Sequence, residues 1–298
     1  MELSNYFRKL SDKGKLYVVT NKKLLELLND VYSEIKLTIG AKKFFREEGI
    51  NKSVFNEILK GQIMPSIQLL ENIEKRLNID IIDSVYFNAE YLRGKTNSNL
   101  IKFPKKISEE FVFLLGALRD GSLIHYENVY EIEFAQKQKK WLQNSIVPRL
   151  QKVFGSKLKI MLRKNKNYVV RKRSVALYSI LNYFTNFAKT KYKYTPEIVL
   201  NLPFSLQKYY IAGFYDADGN KDPKEIIFYQ QWWNRKNCLP LDDIQIMLNK
   251  IDVKSNFEIK SRNNDYLFKL HITDRKGFLE EIPIEHPVFL ERFGNSRL

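Results

Sequence analysis

The strongest constraint in this chain is an acid in an awkward place. Asp218 closes the stretch Ile211-Ala-Gly-Phe-Tyr-Asp-Ala-Asp-Gly219, which reads as the last turns of a helix. Ser205 is the expected N-cap, because its hydroxyl can accept a backbone N–H that the first turn leaves unpaired. Gly219 is the expected stop, in the left-handed conformation that glycine takes without a Cβ penalty. Ala212 and Gly213 form a small patch that lets another backbone approach. A carboxylate at a helix C-terminus meets the negative end of the macrodipole, and a bound cation relieves that conflict.

An echo lies upstream, in Phe113-Leu-Leu-Gly-Ala-Leu-Arg-Asp-Gly121. It is again an apolar helix with small residues, Gly116 and Ala117, ending in Asp-Gly and preceded by a capping Ser108. Asp120 and Asp218 stand 98 positions apart. That spacing predicts an internal duplication whose two helices pack through their small faces. Such packing brings Asp120 and Asp218 together, each at the foot of its helix. Two close carboxylates make a site for Mg²⁺ or another divalent cation, a hard ion that takes oxygen ligands and keeps waters.

The second stretch carries the Ala-Gly and Asp-Ala-Asp-Gly of the LAGLIDADG motif, and the first is a looser copy. From about Ser108 onward the chain resembles the monomeric, two-motif LAGLIDADG homing endonucleases of archaea. The resemblance implies an α+β fold: a pseudo-two-fold pair of αββαββα subdomains, 108–204 and 205–298, with DNA-binding antiparallel sheets. It implies metal ligation by Asp120 and Asp218, assisted by the carbonyls of Arg119 and Ala217. It also implies a lysine three positions after the second acid, Lys221, to stabilise charge on the phosphate, and glutamines on the first strand of each half, Gln136 and Gln230, to orient water. Asp216, two residues before Asp218, points to another side of the helix and is expected to be structural. The first copy departs from the motif. Its glycine position holds Leu115, with Gly116 one place late, which predicts a helix shifted by a residue or packed less closely. Leu123 stands where a counterpart of Lys221 would be, so the two scissile sites are expected to be unequal.

The formal net charge of +16 points to an anionic polymer as partner. One cysteine, Cys238, excludes an internal disulfide framework and fits a reducing cytoplasm. Three histidines and that cysteine leave no zinc finger. No apolar run reaches the length of a membrane span, and the N-terminus lacks the apolar core of a signal peptide. A Met start and an ending without His-Asn do not indicate self-splicing, so a free-standing protein is expected; the resemblance implies a monomer, and action on DNA implies a nucleoid-associated cytoplasmic one.

The first 91 residues read as helices. Leu24, Leu25, Leu28, Val31, Tyr32 and Ile35 share one stripe. Phe44 and Phe45 lie on a short second helix, Asn51 caps a third over 52–60, and Pro65-Ser66 opens a fourth. The run from Ala41 through Asn51-Lys-Ser-Val-Phe-Asn-Glu-Ile-Leu-Lys-Gly61 to Leu77 resembles the Cro/phage-repressor helix-turn-helix (HTH) family. An all-α DNA-binding domain over 1–91 follows from that resemblance, with Lys52, Ser53, Asn56, Lys60 and Gln62 facing bases or phosphates. Residues 92–107 are basic and polar with Gly and Pro, and read as a linker.

Between the motifs the chain reads as a strand over 130–136, then a helix over 138–154 that Pro148 should kink. A hairpin follows, 157–163 and 168–173, turning at Asn165-Lys166-Asn167. Residues 157–173 hold eight basic side chains and no acid. Leu158, Ile160 and Leu162 are expected inward. Lys157, Lys159, Arg163, Arg171 and Arg173 are expected on DNA, with the repulsion of that run relieved by a polyanion. The second half repeats the order: strand 226–231, helix 241–251, and a hairpin 257–262 and 266–273 across Asn263-Asn264. Its Lys260, Arg262 and Lys269 are the DNA-facing candidates. The two faces are unequal, as suits a long non-palindromic duplex. Three functions follow: a double-strand DNA endonuclease in the lead, a non-cleaving DNA-binding regulator on a former nuclease fold, and a maturase that binds intron RNA.

Overall fold

The computed structural model describes residues 5–10, 12–94, 100–163, 166–189, 192–220, 225–262 and 265–293. Residues 1–106, with 174–183, form one compact unit, and 107–173 with 184–298 form the other. Lys221, Asn165, Asn263 and Asn264 lie outside the described residues, as does the side chain of Arg262.

The first unit runs α1 (Asn5–Lys9), β1 (Leu16–Val18), α2 (Lys22–Thr38), α3 (Ala41–Glu47), α4 (Lys52–Leu59), α5 (Ile67–Leu77), α6 (Ile82–Asn88), β2 (Tyr91–Gly94) and β3 (Ile101–Lys102). The helix starts follow the side-chain caps: Asn21, Asn51 and Ser66 accept from the N–H groups of Leu24, Ser53 and Leu69. The apolar faces of α2, α3 and α4 meet around Phe44, Phe45 and Phe55, whose rings lie 5.5–5.8 Å apart. The expectation of an all-α unit fails, because β1, β2 and β3 form an antiparallel sheet. The linker expectation fails with it. Tyr91–Gly94 and Ile101–Lys102 are paired strands, Phe103 packs on Phe7 with ring centroids 4.7 Å apart, and Lys105 Nζ donates to the Phe87 carbonyl at 2.7 Å. The basic residues mask a period-two apolar pair, Ile101 and Phe103, both buried.

The second unit begins α7 (Glu109–Ala117), β4 (Ser122–Tyr126), β5 (Val129–Gln136), α8 (Lys139–Trp141), α9 (Val147–Phe154), β6 (Ile160–Leu162) and β7 (Tyr168–Arg173); α10 (Val175–Thr185), which follows in the chain, belongs mostly to the first unit. It continues with α11 (Glu197–Leu200), α12 (Phe204–Asp218), β8 (Ile226–Trp232), α13 (Leu239–Asn249), β9 (Ser255–Arg262), β10 (Asp265–Ile272), α14 (Arg275–Glu281) and α15 (Pro287–Phe293). Two antiparallel sheets result, ordered β4-β5-β7-β6 and β8-β10-β9, so the class is α+β. The kink at Pro148 takes the form of a π-helical stretch, Leu142–Ile146, joining α8 to α9. Proline has no N–H and its ring crowds the carbonyl four residues back, and a wider turn there relieves both. Leu162 corrects the expected inward face of the first hairpin: it is 63% exposed at the end of the short strand β6. Among the described residues no helix is long and apolar enough to cross a membrane.

Ser205 is not the cap of α12. The helix starts at Phe204 behind Pro203, which makes no side-chain cap. Ser108 does cap α7, accepting from the Phe111 N–H at 3.3 Å. Gly219 stops α12 in an extended conformation (φ −69°, ψ 162°) rather than a left-handed one. Space requires the glycine: an added Cβ would lie 2.6 Å from Tyr215 Cε2 and on the Tyr215 carbonyl.

Candidate active site at the feet of the paired helices

Helices α7 and α12 touch backbone to backbone. A Cβ on Gly116 would fall on the Tyr210 carbonyl oxygen and 2.9 Å from the Phe214 nitrogen. A Cβ on Gly213 would fall on the Phe113 carbonyl oxygen and 2.9 Å from the Ala117 nitrogen. The two glycines therefore hold equivalent positions. The first motif is neither shifted nor loosely packed, contrary to the reading of Leu115 as a displaced glycine position.

The missing residue is absorbed further down. α7 ends at Ala117, and the N–H groups of Arg119 and Asp120 bond to carbonyls three residues back, at 3.1 and 3.3 Å. This is a 3₁₀-type turn. One α step of about 1.5 Å and three 3₁₀ steps of about 2.0 Å carry the chain about 7.5 Å from Gly116 to Asp120. Five α steps from Gly213 to Asp218 cover the same ~7.5 Å.

Asp120 and Asp218 are both exposed at these feet. Gln136, at the end of β5, links Asp120 to the backbone of the second motif. Its Nε2 donates to Asp120 Oδ2 at 3.2 Å and to the Ala217 carbonyl at 2.7 Å. Period-two alternation explains its aim, since Gln136 shares the inner face of β5 with the buried Ile132 and Phe134. Gln230 behaves differently and corrects the expectation of a matched pair. Its Oε1 accepts from Arg119 Nη2 at 2.5 Å and its Nε2 donates to the Gln231 carbonyl. The cause is Arg119, which stands where the second motif has Ala217. Its buried guanidinium lies 4.4 Å from the Phe214 ring and also donates to Tyr210 Oη.

Lys193 is the residue that motif reading missed. Its ammonium donates to the carbonyls of Leu118, Arg119 and Gly121 at 3.0, 2.7 and 2.5 Å. Those carbonyls are left open by the tightened end of α7, and a cation there also opposes the helix dipole. Burial lowers the lysine to about 8, helped by the charge of Arg119 and opposed by Asp120 and Asp218. The only sequence signal is the Lys/Tyr-rich run 189–194. Lys193→Met is expected to slow any reaction at this site ten- to a hundredfold, roughly the cost of losing an outer support of a metal ligand. Single-turnover rates with folding checked by circular dichroism would decide it.

The donor set suits a hard divalent ion: two carboxylates and the carbonyls of Arg119 and Ala217, all oxygen. Each carbonyl already accepts one N–H and keeps a second lone pair. Among the described residues no group of three or more His, Cys, Asp or Glu could cage a metal. An ion here would therefore depend on waters and a bound phosphate for its remaining ligands, as Mg²⁺ does at substrate sites.

Asp216 is fully buried and accepts from the Glu285 N–H at 2.9 Å. Burial raises its carboxyl to about 7 from an ordinary 3.8. The folded state thus holds an extra proton between those values, and stability falls as pH rises from about 4 to about 7, then levels. Asp216→Asn should abolish that slope, which thermal melting across the same range would measure.

The DNA-facing candidates divide in the same way. On α4 and the turn after it, Lys52, Ser53, Lys60 and Gln62 are exposed and Asn56 is half-buried. Lys157, Lys159, Arg163 and Arg173 are exposed around the first sheet, and Arg171 is half-buried. The run without acids does have acids opposite it: Glu133 pairs with Arg163 and Arg171, and Glu131 with Arg171 and Arg173. On the second sheet Glu258 accepts from Lys269 at 3.0 Å, and also pairs with Lys260 and His271. Lys269 and Lys260 pull the Glu258 carboxyl down to about 2.

With this geometry established, relatives can be compared. The chain is 33% identical over 150 residues to the homing endonuclease I-ApeI of Aeropyrum pernix. This chain is similar to a homing endonuclease. The aligned part is 48% of this chain and 66% of that relative, just under two thirds of its length. Among solved structures, I-DmoI in complex with DNA and Mn is 22% identical, covering 61% of this chain and 99% of that one, with a TM-score of 0.47. I-WcaI bound to its DNA recognition sequence is 19% identical, covering 63% and 87%, with a TM-score of 0.43. No protein-family model matches the chain.

Proposed function

We propose that this protein is a site-specific endonuclease that hydrolyses both strands of duplex DNA with a divalent cation, Mg²⁺ in the cell. The carrying observation is two exposed carboxylates, Asp120 and Asp218, at the feet of glycine-tight helices, with Gln136 bonded to Asp120 and to the Ala217 carbonyl next to Asp218. When bound, the cation supplies charge stabilisation and activates water. The chain's own residues do the rest. The two carboxylates hold the ion, Gln136 fixes Asp120 against the backbone of the second motif, and Lys193 holds the end of α7. Lys221, three positions after Asp218 in the sequence, would stabilise charge on the phosphate. The similarity to a homing endonuclease supports the same reading.

Lys157, Lys159, Arg163, Arg171, Arg173, Lys260, Arg262 and Lys269 would contact a long, non-palindromic duplex, with the protein acting as a monomer. Lys52, Ser53, Asn56, Lys60 and Gln62 would extend that contact through a helix-turn-helix. A first motif out of register would favour a non-cleaving regulator, whereas Gly116 packs as tightly as Gly213, which favours the enzyme.

The test is cleavage of a plasmid library carrying randomised inserts in Mg²⁺. Linearised plasmids enriched for one long site are expected. A protein that retains one sequence tightly and never nicks it would be a regulator, and one that prefers intron RNA to any duplex would be a maturase.

A further inference from the structure

The outer face of the first sheet has a built charge pattern. Glu131 and Glu133 sit on β5 opposite Arg173 and Arg171 of β7. The acids are almost covered, with side chains 5% and 9% exposed, while Arg163, Arg171 and Arg173 above them are 40%, 33% and 67% exposed. Within this cluster three arginines over two glutamates leave a net charge of about one, so most of the arginine charge is already balanced by the acids.

The bonds are also directional. Arg171 donates its Nε and Nη2 to Glu133 Oε2 at 3.0 and 2.7 Å, and its Nε lies 3.1 Å from Glu131 Oε1. Arg173 donates only Nε to Glu131, at 3.0 Å. Arg163 reaches Glu133 through Nη2 alone. The glutamates therefore hold the Nε side of Arg171 and Arg173 and do not engage Nη1 of either. A guanidinium is a planar fork, and fixing one edge fixes the direction of the other. Prefixed forks suit the paired acceptors of guanine, O6 and N7, in the major groove. A phosphate contact carries no sequence information, whereas a fork held in one direction discriminates between bases.

We propose that Glu131 and Glu133 are specificity-determining positioning residues, which brace Arg171 and Arg173 so that the first sheet reads guanine. This rests on the proposed action on duplex DNA. Neither glutamate touches the nucleic acid in this arrangement; each acts through its arginine.

The experiment selects bound duplexes from a randomised library, using the full-length protein in EDTA so that nothing is cut. Wild type, Glu133→Gln, Glu131→Gln and Arg171→Lys are compared, with melting curves for each. Wild type is expected to enrich a site with guanines in one half. Arg171→Lys and Glu133→Gln are expected to lose the preference at the same position by about tenfold or more. Preferences in the other half, and the dependence of affinity on salt, should not change.

If wild type enriches no sequence, the reading as a site-specific DNA enzyme fails and takes this inference with it. If wild type enriches a site and Glu133→Gln keeps every guanine, the inference alone fails. It also fails if Arg171→Lys keeps the base profile, since Arg171 then contacts phosphate. A lost cytosine in Glu133→Gln that Arg171→Lys retains would mean that the glutamate reads a base itself. A low-melting Glu133→Gln protein with every preference weakened would mean that the pair is only structural.

Discussion

Asp218→Asn protein is expected to bind its duplex as tightly as wild type and to leave both strands uncut in Mg²⁺ or Mn²⁺. The substitution keeps the shape of the side chain and removes the charge that holds a cation. It acts at an exposed position, so folding has no reason to suffer. Removing a carboxylate from the site that DNA phosphates approach also removes a repulsion, so affinity should hold or rise slightly. The rate should fall on the order of a thousandfold, as for other losses of preorganised charge in an active site. Asp120→Asn should do the same, with one addition: it also loosens Gln136, which holds the Ala217 carbonyl. Retained metal-dependent cutting by Asp218→Asn, measured on a linear duplex carrying the selected site, would remove Asp218 from the mechanism.

The largest stability effect belongs to the helix pair. Gly213→Ala places a methyl on the Phe113 carbonyl oxygen and 2.9 Å from the Ala117 nitrogen. Both are backbone atoms, so no rotamer change relieves the clash. The helices must separate along their contact, at a cost of about 3 kcal/mol or more. For a unit of this size that is a fall in melting temperature on the order of 10 °C. Gly116→Ala should act equally, through the Tyr210 carbonyl. The double variant should lose less than the sum, because once the helices have parted the second methyl meets open space. Additive losses in thermal melts would mean that the two contacts open independently.

Local signals made much of this legible in sequence. Asp-Gly after a run with small residues located both helix feet, and Ser108 marked the start of α7 through a cap that the structure contains. Gln136 follows from the family resemblance, which places a glutamine on the first strand, and the structure bonds it to Asp120. The same resemblance gives Gln230, but the long side chain of Arg119 claims its oxygen. Lys193 is not legible, because its partners are carbonyls 72 to 75 residues away and carry no side-chain pattern. The basic hairpin was read without the neighbouring strand, and its acids lie on that strand. Strand β3 is hidden by the lysines around Ile101 and Phe103, and β2 by its brevity and its Arg-Gly ending.

The tightened end of α7 bears on which changes of length the helix pair can survive. Deleting a residue between glycine and aspartate costs one α step of depth, and a change of pitch restores it. The same deletion before the glycine would turn the small face about 100° away from its partner, and no change of pitch could turn it back. Insertions and deletions should therefore accumulate in the last turn of either helix and be absent above the glycine. Selection on such a pair acts on the depth of a carboxylate, so a copy that looks misspelled can be geometrically intact.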